Sequence, residues 1–259
     1  MTIRESMNFT FNSESSSDYG VLNVTFDSGM QEEPFLPTRK ILEQKIRGNN
    51  KPYFLGVEYE PLTIPVRIVF EKDFNIDKLR NLANWLTTDN YAPLIFESKP
   101  SHIYYTLLVD EGTLTHNSIN QGYVDVTFRC DSPWAWTPAY SQFHDFSSNV
   151  TDGTNYTINN VGDLTIQPIL EVEIVSGTEF SIQNLSNKGE RLSLVGLAVG
   201  EKLIIDCQNQ TIDSDIPLTY RYGNRTLDSQ FISFIKGNNY LNIKGNVKIT
   251  FKYRGQLRG

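Results

Sequence analysis

Alanine is scarce, with 5 residues in 259 against 23 asparagines. A chain short of the strongest helix former and rich in a turn former is not a helical bundle and should be mainly β. Two cysteines are too few for a disulfide scaffold, which excludes the small secreted modules. Cys130 and Cys207 lie far apart in apolar or strand-like surroundings and are expected as buried free thiols. The three histidines, His102, His116 and His144, are isolated from one another and from both cysteines, so neither a zinc site nor a Cys–His nucleophile is expected. No run approaches 18 apolar residues, which predicts no membrane-spanning helix. No apolar segment follows Met1-Thr2-Ile3-Arg4-Glu5 as a secretory signal would require, so a soluble protein made in a reducing cytoplasm is expected. Basic residues are outnumbered, 23 to 30, and a net of −7 argues against non-specific wrapping of nucleic acid, which depends on neutralising phosphates. What is present, 39% hydrophobic and 12% aromatic residues, is enough for globular cores over a length that fits one large or two ordinary domains.

Strand patterns begin early. Asn8-Phe9-Thr10-Phe11-Asn12 alternates polar and apolar residues, and Gly20 to Phe26 does so in part. Thr63 to Phe70, Tyr104 to Val109 and Gly122 to Cys130 follow, the last with the cleanest period of two in this half. Pro65 cannot donate to a ladder, which places it at a strand's start or at an edge. A single helix is predicted where Leu79, Leu82, Ala83 and Leu86 fall at i, i+3, i+4 and i+7, with Ile76 one turn earlier. Asn75 is its expected N-cap and Asp77 suits the positive end of its dipole. Trp85, beside that stripe, is expected to anchor the helix on a sheet.

Between residues 31 and 61 the pattern changes. Prolines at 34, 37, 52 and 61 bracket a polar strand-like run from Arg39 to Arg47 and the turn Gly48-Asn49-Asn50-Lys51. This chemistry predicts a projecting β-hairpin with little core of its own, and therefore one that needs a partner surface for its apolar residues Phe35, Leu36, Ile41, Leu42 and Ile46.

Two prolines around two tryptophans, in Asp131-Ser132-Pro133-Trp134-Ala135-Trp136-Thr137-Pro138, mark a domain boundary, giving expected domains 1–137 and 138–259. Strands are predicted beyond it at Ile169 to Val175, Glu179 to Asn184, Arg191 to Val195, Lys202 to Cys207, Gln230 to Ile235 and Asn246 to Tyr253. Turns are predicted between them at Ser176-Gly177, Asn187-Lys188-Gly189, Val199-Gly200-Glu201 and Gly237-Asn238-Asn239, a spacing that suits a β-sandwich. Splitting the charge at residue 137 leaves 18 acids and 12 bases (−6) in the first part and 12 and 11 (−1) in the second.

No catalytic motif emerges. The chain has no GxSxG, P-loop, GxGxxG after a strand, or HExxH, and no catalytic, cofactor or metal-ligating residue is assigned. Glu171 and Glu173 share one strand face and are expected as solvated charges rather than a glycosidase pair. Asp213 and Asp215, before Pro217, are expected as turn formers rather than calcium ligands.

Taken in order, a series of short motifs resembles the distal tail (Dit) proteins of long-tailed phages with non-contractile tails, the siphophages. Asp18-Tyr19-Gly20-Val21 is similar to that family's opening strand, and Ile46-Arg47-Gly48-Asn49-Asn50 falls where the family has the tip of a projecting arm. Trp85-Leu86 closes the helix, and Tyr104-Tyr105-Thr106 and Phe128-Arg129-Cys130-Asp131-Ser132-Pro133-Trp134-Ala135 resemble a later strand and the domain exit. Asn160-Val161-Gly162, Leu203 to Asn209, Gly237-Asn238-Asn239 and Ile249 to Arg254 resemble the family's galectin-like sandwich. The resemblance spans nearly the whole chain and rests on order and spacing, since no single motif is specific. The tip Arg47-Gly48-Asn49-Asn50-Lys51 departs from relatives that carry a more acidic or glycine-rich one.

The resemblance implies a mainly β fold: an N-terminal β-sandwich-like domain with one helix and a projecting hairpin arm, then a C-terminal galectin-like β-sandwich. It further implies a structural virion protein without a cofactor, assembled in the host cytoplasm as a homo-hexameric ring at the distal end of the tail. The tail tube protein would sit on one face and a tail-tip, tail-associated lysin-type hub protein on the other, with receptor-binding proteins on the outer domain. DNA would cross the central channel without specific binding, and no membrane is involved. Six copies of a −6 domain would place −36 around that channel, which suits passage of DNA without adhesion. The alternative is a carbohydrate-binding module for host-surface adsorption, with Tyr220, Tyr222 and Tyr240 as glycan contacts. A cell-wall hydrolase ranks third because a catalytic constellation is missing.

Overall fold

The computed structural model describes residues 3–24 and 33–258. The ends of two predicted segments, Thr25-Phe26 of the early strand and Gln31-Glu32 of the arm, lie outside them. Among the described residues the chain is mainly strand with one α-helix, and it divides into two compact units, Met1–Trp136 with Arg258–Gly259, and Thr137–Leu257.

In unit 1 the elements are β1 (Phe9–Phe11), β2 (Glu14–Ser15), β3 (Val21–Asn23), β4 (Arg39–Gln44), β5 (Tyr53–Tyr59), β6 (Thr63–Phe70), α1 (Ile76–Leu86), β7 (Ala92–Phe96), β8 (Tyr104–His116), β9 (Gly122–Cys130) and β10 (Ala135–Trp136). Seven of them form one open antiparallel sheet in the order β2-β1-β7-β8-β9-β6-β3. Period-two burial builds its core: Ile64, Val66, Ile68 and Phe70 on β6 are buried, as are Leu94 and Phe96 on β7 and Val126, Phe128 and Cys130 on β9. Pro65 pairs with Thr127 of β9, and among the described residues β3 pairs with β6 from Ile68 to Phe70.

α1 begins as predicted, with Asn75 Oδ1 accepting the Lys78 N–H at 2.9 Å. Its buried stripe differs from the expected one. Leu82, Trp85 and Leu86 are buried, whereas Ala83 and Ile76 face solvent. The reason is the size of Trp85, whose ring stacks on Tyr19 at 4.2 Å and on Phe9 at 5.6 Å and whose Nε1–H donates to the Phe11 carbonyl at 3.0 Å. A side chain of that area turns the helix toward itself.

Unit 2 contains β11 (Tyr140–Phe146), β12 (Thr154–Asn160), β13 (Ile169–Asn184), β14 (Glu190–Val195), β15 (Lys202–Asp206), β16 (Thr211–Ser214) and β17 (Gly237–Tyr253). Two long strands, β13 and β17, pair along most of their length. At one end they are flanked by β11, β15 and β16, and at the other by β12 and β14. Both ends wrap one core that includes Leu170, Ile182, Leu194, Ile205, Ile243 and Phe251. The predicted break at Ser176-Gly177 is therefore not a hairpin but a register shift inside one strand. Opposite it lies Gly245 at φ +99°, where an added Cβ would come within 2.5 Å of the Glu179 carbonyl, so only glycine fits.

Two other expectations are overturned. Gly237-Asn238-Asn239 is the start of β17, paired with Asn160, Asn159 and Ile158. Gln230 to Ile235 forms no strand, and within it only Phe234 makes a bridge, to Ile166. Side chains satisfy that segment instead of a ladder. Glu190 accepts from the Ser233 N–H, Asn184 donates to the Ser233 carbonyl, and Asn239 both accepts from the Ile235 N–H and donates to its carbonyl. Asn184 and Asn239 are fully buried and bonded to each other at 2.9 Å.

Candidate functional site

The arm is built from β4 and β5, which among the described residues pair only with each other as a two-stranded sheet. The Gly48 φ of +87° and the Asn49 N–H to Ile46 carbonyl bond close the tip, and Asn49 Oδ1 accepts the Lys51 N–H at 3.0 Å. Along the ladder Ile41 lies opposite Val57 and Glu43 opposite Phe54, with a bulge between Leu42 and Glu43 that leaves Leu55 unpaired. Ile41, Val57, Phe54 and Tyr59 thus share one face.

That face is open. Of the residues expected to need a partner surface, Phe35 is 76% exposed, Leu36 62%, Ile41 60% and Ile46 50%, while Leu42 is half-buried. The second strand adds Tyr53, Phe54, Leu55, Val57 and Tyr59, which the sequence reading passed over. Their signal is the aromatic and aliphatic run Tyr53-Phe54-Leu55 and Val57-Glu58-Tyr59 on either side of Gly56, the second strand that a hairpin with its turn at Gly48 requires. At the arm's base Tyr59 meets Trp134, with ring centroids 5.1 Å apart.

A second exposed set lies in unit 2. The segment after β16 displays Leu218, Tyr220 and Leu227 almost wholly to solvent, and Leu218 has φ +57°. Tyr220 bridges Asp213, and Tyr222 lies under the Arg225 guanidinium at 4.0 Å. Tyr240 is on β17, opposite Thr157 of β12. The three tyrosines are all exposed and lie apart in the chain's structure, Tyr220 in the segment after β16, Tyr222 at the start of a short 3-10 turn and Tyr240 on β17.

The acidic candidates resolve individually. Glu171 pairs with Lys252 at 2.5 Å on the solvent side, and Glu173 lies opposite Lys202 and Lys248. Asp213 belongs to β16 rather than to a loop, and Asp215 accepts the Lys202 N–H at 2.8 Å. Cys130 and Cys207 are buried free thiols whose pKa values burial pushes up to about 12, the opposite of an activated nucleophile. Among the described residues no group of three His, Cys, Asp or Glu side chains is placed to hold a metal ion, and no helix is long and apolar enough to cross a membrane.

Comparison with known proteins follows the two units. Residues 4–132 match the family described as phage tail protein N-terminal domain, and residues 138–253 match the phage tail C-terminal domain. The chain is 30% identical to the SPbeta prophage-derived protein YomH of Bacillus subtilis (strain 168) over 252 residues, covering 97% of this chain and 98% of that one. The Dit (gp 19.1) protein of phage SPP1, a hub adsorption apparatus protein of a Gram-positive infecting phage, shares the fold at 17% identity and a TM-score of 0.68, over 95% and 98% of the two chains. A chain of the phage P2 baseplate, in its activated conformation with Ca, aligns over 95% and 97% at 10% identity and a TM-score of 0.50. With both halves matched by phage tail domains and a prophage relative covered over nearly its whole length, the chain belongs to the phage tail protein family, and it shares the fold of a distal tail (Dit) protein.

Proposed function

We propose that this chain is the hub at the distal end of a phage tail, a structural part of the adsorption apparatus that joins the tail tube to the tail-tip or baseplate and its receptor-binding proteins. Six copies form a ring. Unit 1 builds it, the arm clasps the neighbouring subunit, and unit 2 faces the proteins around it. The observation that carries this reading is the arm. A two-stranded sheet is marginal in water by itself, and this one displays Ile41, Phe54, Leu55 and Val57 to solvent. Exposed apolar surface of that extent is accounted for by burial against a second copy.

The acidic balance of the first part, −6 per chain, supports a channel wall that DNA crosses without adhering. Native mass measurement of the purified protein tests the ring: a mass of six chains is expected, and a monomer at all concentrations overturns it. Deleting residues 31–59 is expected to leave folded monomers, and an intact hexamer from that variant rules out the clasp. The lumen assignment fails if the acids of unit 1 prove to face outward in the assembled ring.

A further inference from the structure

Unit 2 carries a polar basin that the ring and the arm do not use. It has a volume of about 400 Å³, within the size range of small-molecule sites, and is lined by Gln167, Gln208, Gln210, Gln230, Glu190 and Arg225. Cys207 and Phe231 are its apolar members. Gln208 and Gln210 come from the turn between β15 and β16, Glu190 from the start of β14, and Gln230 and Phe231 from the strandless segment that Asn184 and Asn239 hold in place.

Its polar groups are held yet unspent. Among the described residues none of the four glutamine carboxamides has a hydrogen-bond partner in the protein. The Arg225 guanidinium lies 4.0 Å over the Tyr222 ring and 5.1 Å from the Phe231 ring, and its Nε donates to the Tyr222 carbonyl. The rings therefore fix the guanidinium while its Nη groups remain open to a ligand. Glu190 is anchored through Oε2 alone, which accepts from the Ser233 N–H at 2.9 Å and from its hydroxyl at 2.8 Å, so Oε1 remains free.

The chemistry of a matching ligand follows from this set. One cation and one anion balance, so neither an anionic nor a cationic ligand gains net attraction. Carboxamides each present a donor and an acceptor, which suits groups that do both, as hydroxyls do. With two apolar lining residues, one of them a small thiol, the basin lacks a pocket for a hydrophobic peptide anchor. We infer that this basin on unit 2 is a binding site for a neutral saccharide, its ring hydroxyls held by Gln208, Gln230, Arg225 and Glu190. The inference is independent of the proposed ring, since every group belongs to one unit of one chain. It also moves the expected glycan contacts: Tyr222 contributes by holding Arg225, while Tyr220 and Tyr240 do not line the basin.

The test uses the full chain on an array of neutral, sulfated and sialylated oligosaccharides and of apolar peptides, followed by calorimetric titration of the best neutral glycan. Binding of a neutral glycan is expected, weakened about tenfold or more by the double substitution Gln208→Ala/Gln230→Ala and unchanged by Tyr240→Ala. Both glutamines are exposed and unpartnered, so the variant's melting temperature should match the parent's, and the comparison is made once it does. A single Gln230→Ala variant substitutes if the pair shifts it. The proposal is overturned if no neutral saccharide binds at about 10 mM, if charged glycans or peptides are preferred, or if the glutamine variants bind as tightly as the parent.

Discussion

Arg221 forms a two-pronged ion pair with Glu201, its Nε and Nη2 donating to the two carboxylate oxygens at 2.7 and 2.8 Å. The Glu201 side chain has no exposed surface, and it also accepts from the Ala198 N–H and the Ser214 hydroxyl. Through Nη1, Arg221 reaches the Gly196 carbonyl at 3.0 Å. A loop with almost no apolar anchorage of its own is thereby tied to the turn between β14 and β15, and Leu218 and Tyr220 are displayed beside that knot.

Breaking the pair from one side should be costly. Glu201→Leu strands the guanidinium, and the expected loss is about 3–5 kcal/mol in urea unfolding. Replacing both, with Glu201→Leu and Arg221→Met, should recover much of it because no unpaired charge remains. A double variant as unstable as the single one would show that the bonds to Ala198 and Ser214 matter more than the charge pair.

The same carboxylate sets an acid limit. Burial raises its pKa, but the bonds from Arg221, Ala198 and Ser214 outweigh that and hold it below the ordinary 4.5. A group depressed in the folded state contributes stability that is full above 4.5 and is lost as pH falls through the lowered value. Denaturation midpoints should therefore drop more steeply below about pH 4.5 in the parent than in Glu201→Leu. Parallel curves would refute the assignment.

Trp85 joins the helix to the sheet. Trp85→Ala removes the stacks on Tyr19 and Phe9 and the bond to the Phe11 carbonyl, for an expected loss of about 3–5 kcal/mol. Trp85→Phe keeps part of the stacking and forfeits the bond, about 1 kcal/mol of the total. Chemical denaturation followed by circular dichroism separates the two.

The arm face should be neutral for folding and decisive for assembly. Ile41→Ser, Phe54→Ser and Val57→Ser alter side chains already in solvent, so each should change stability by about 0.5 kcal/mol or less. Combined, they should shift the protein to monomer in analytical ultracentrifugation. An unshifted assembly would place the subunit contact elsewhere.

Both thiols should be inert in the native protein. With pKa values near 12, roughly one thiol in ten thousand is ionised at about pH 8. Disulfide exchange with DTNB is expected only on addition of urea, at which point two thiols should titrate. Fast labelling without denaturant would contradict the burial of Cys130 and Cys207.

The sequence by itself determined the β class, the single capped helix, the hairpin arm and the absence of a catalytic motif. Each rests on local chemistry: alternation along β6 and β9, Asn75 accepting within its own helix, prolines around Gly48. What only the tertiary structure decided are relations between distant residues. Whether Ser176-Gly177 turns or merely shifts register depends on β17 running past it with Gly245 opposite. Whether Gln230 to Ile235 is a strand depends on buried carboxamides at 184 and 239 taking its backbone bonds before a ladder can. Which face of the helix is buried depends on Tyr19 and Phe9 receiving Trp85. Periodicity records a preference for one side, but the partner that satisfies it is chosen by packing across the fold.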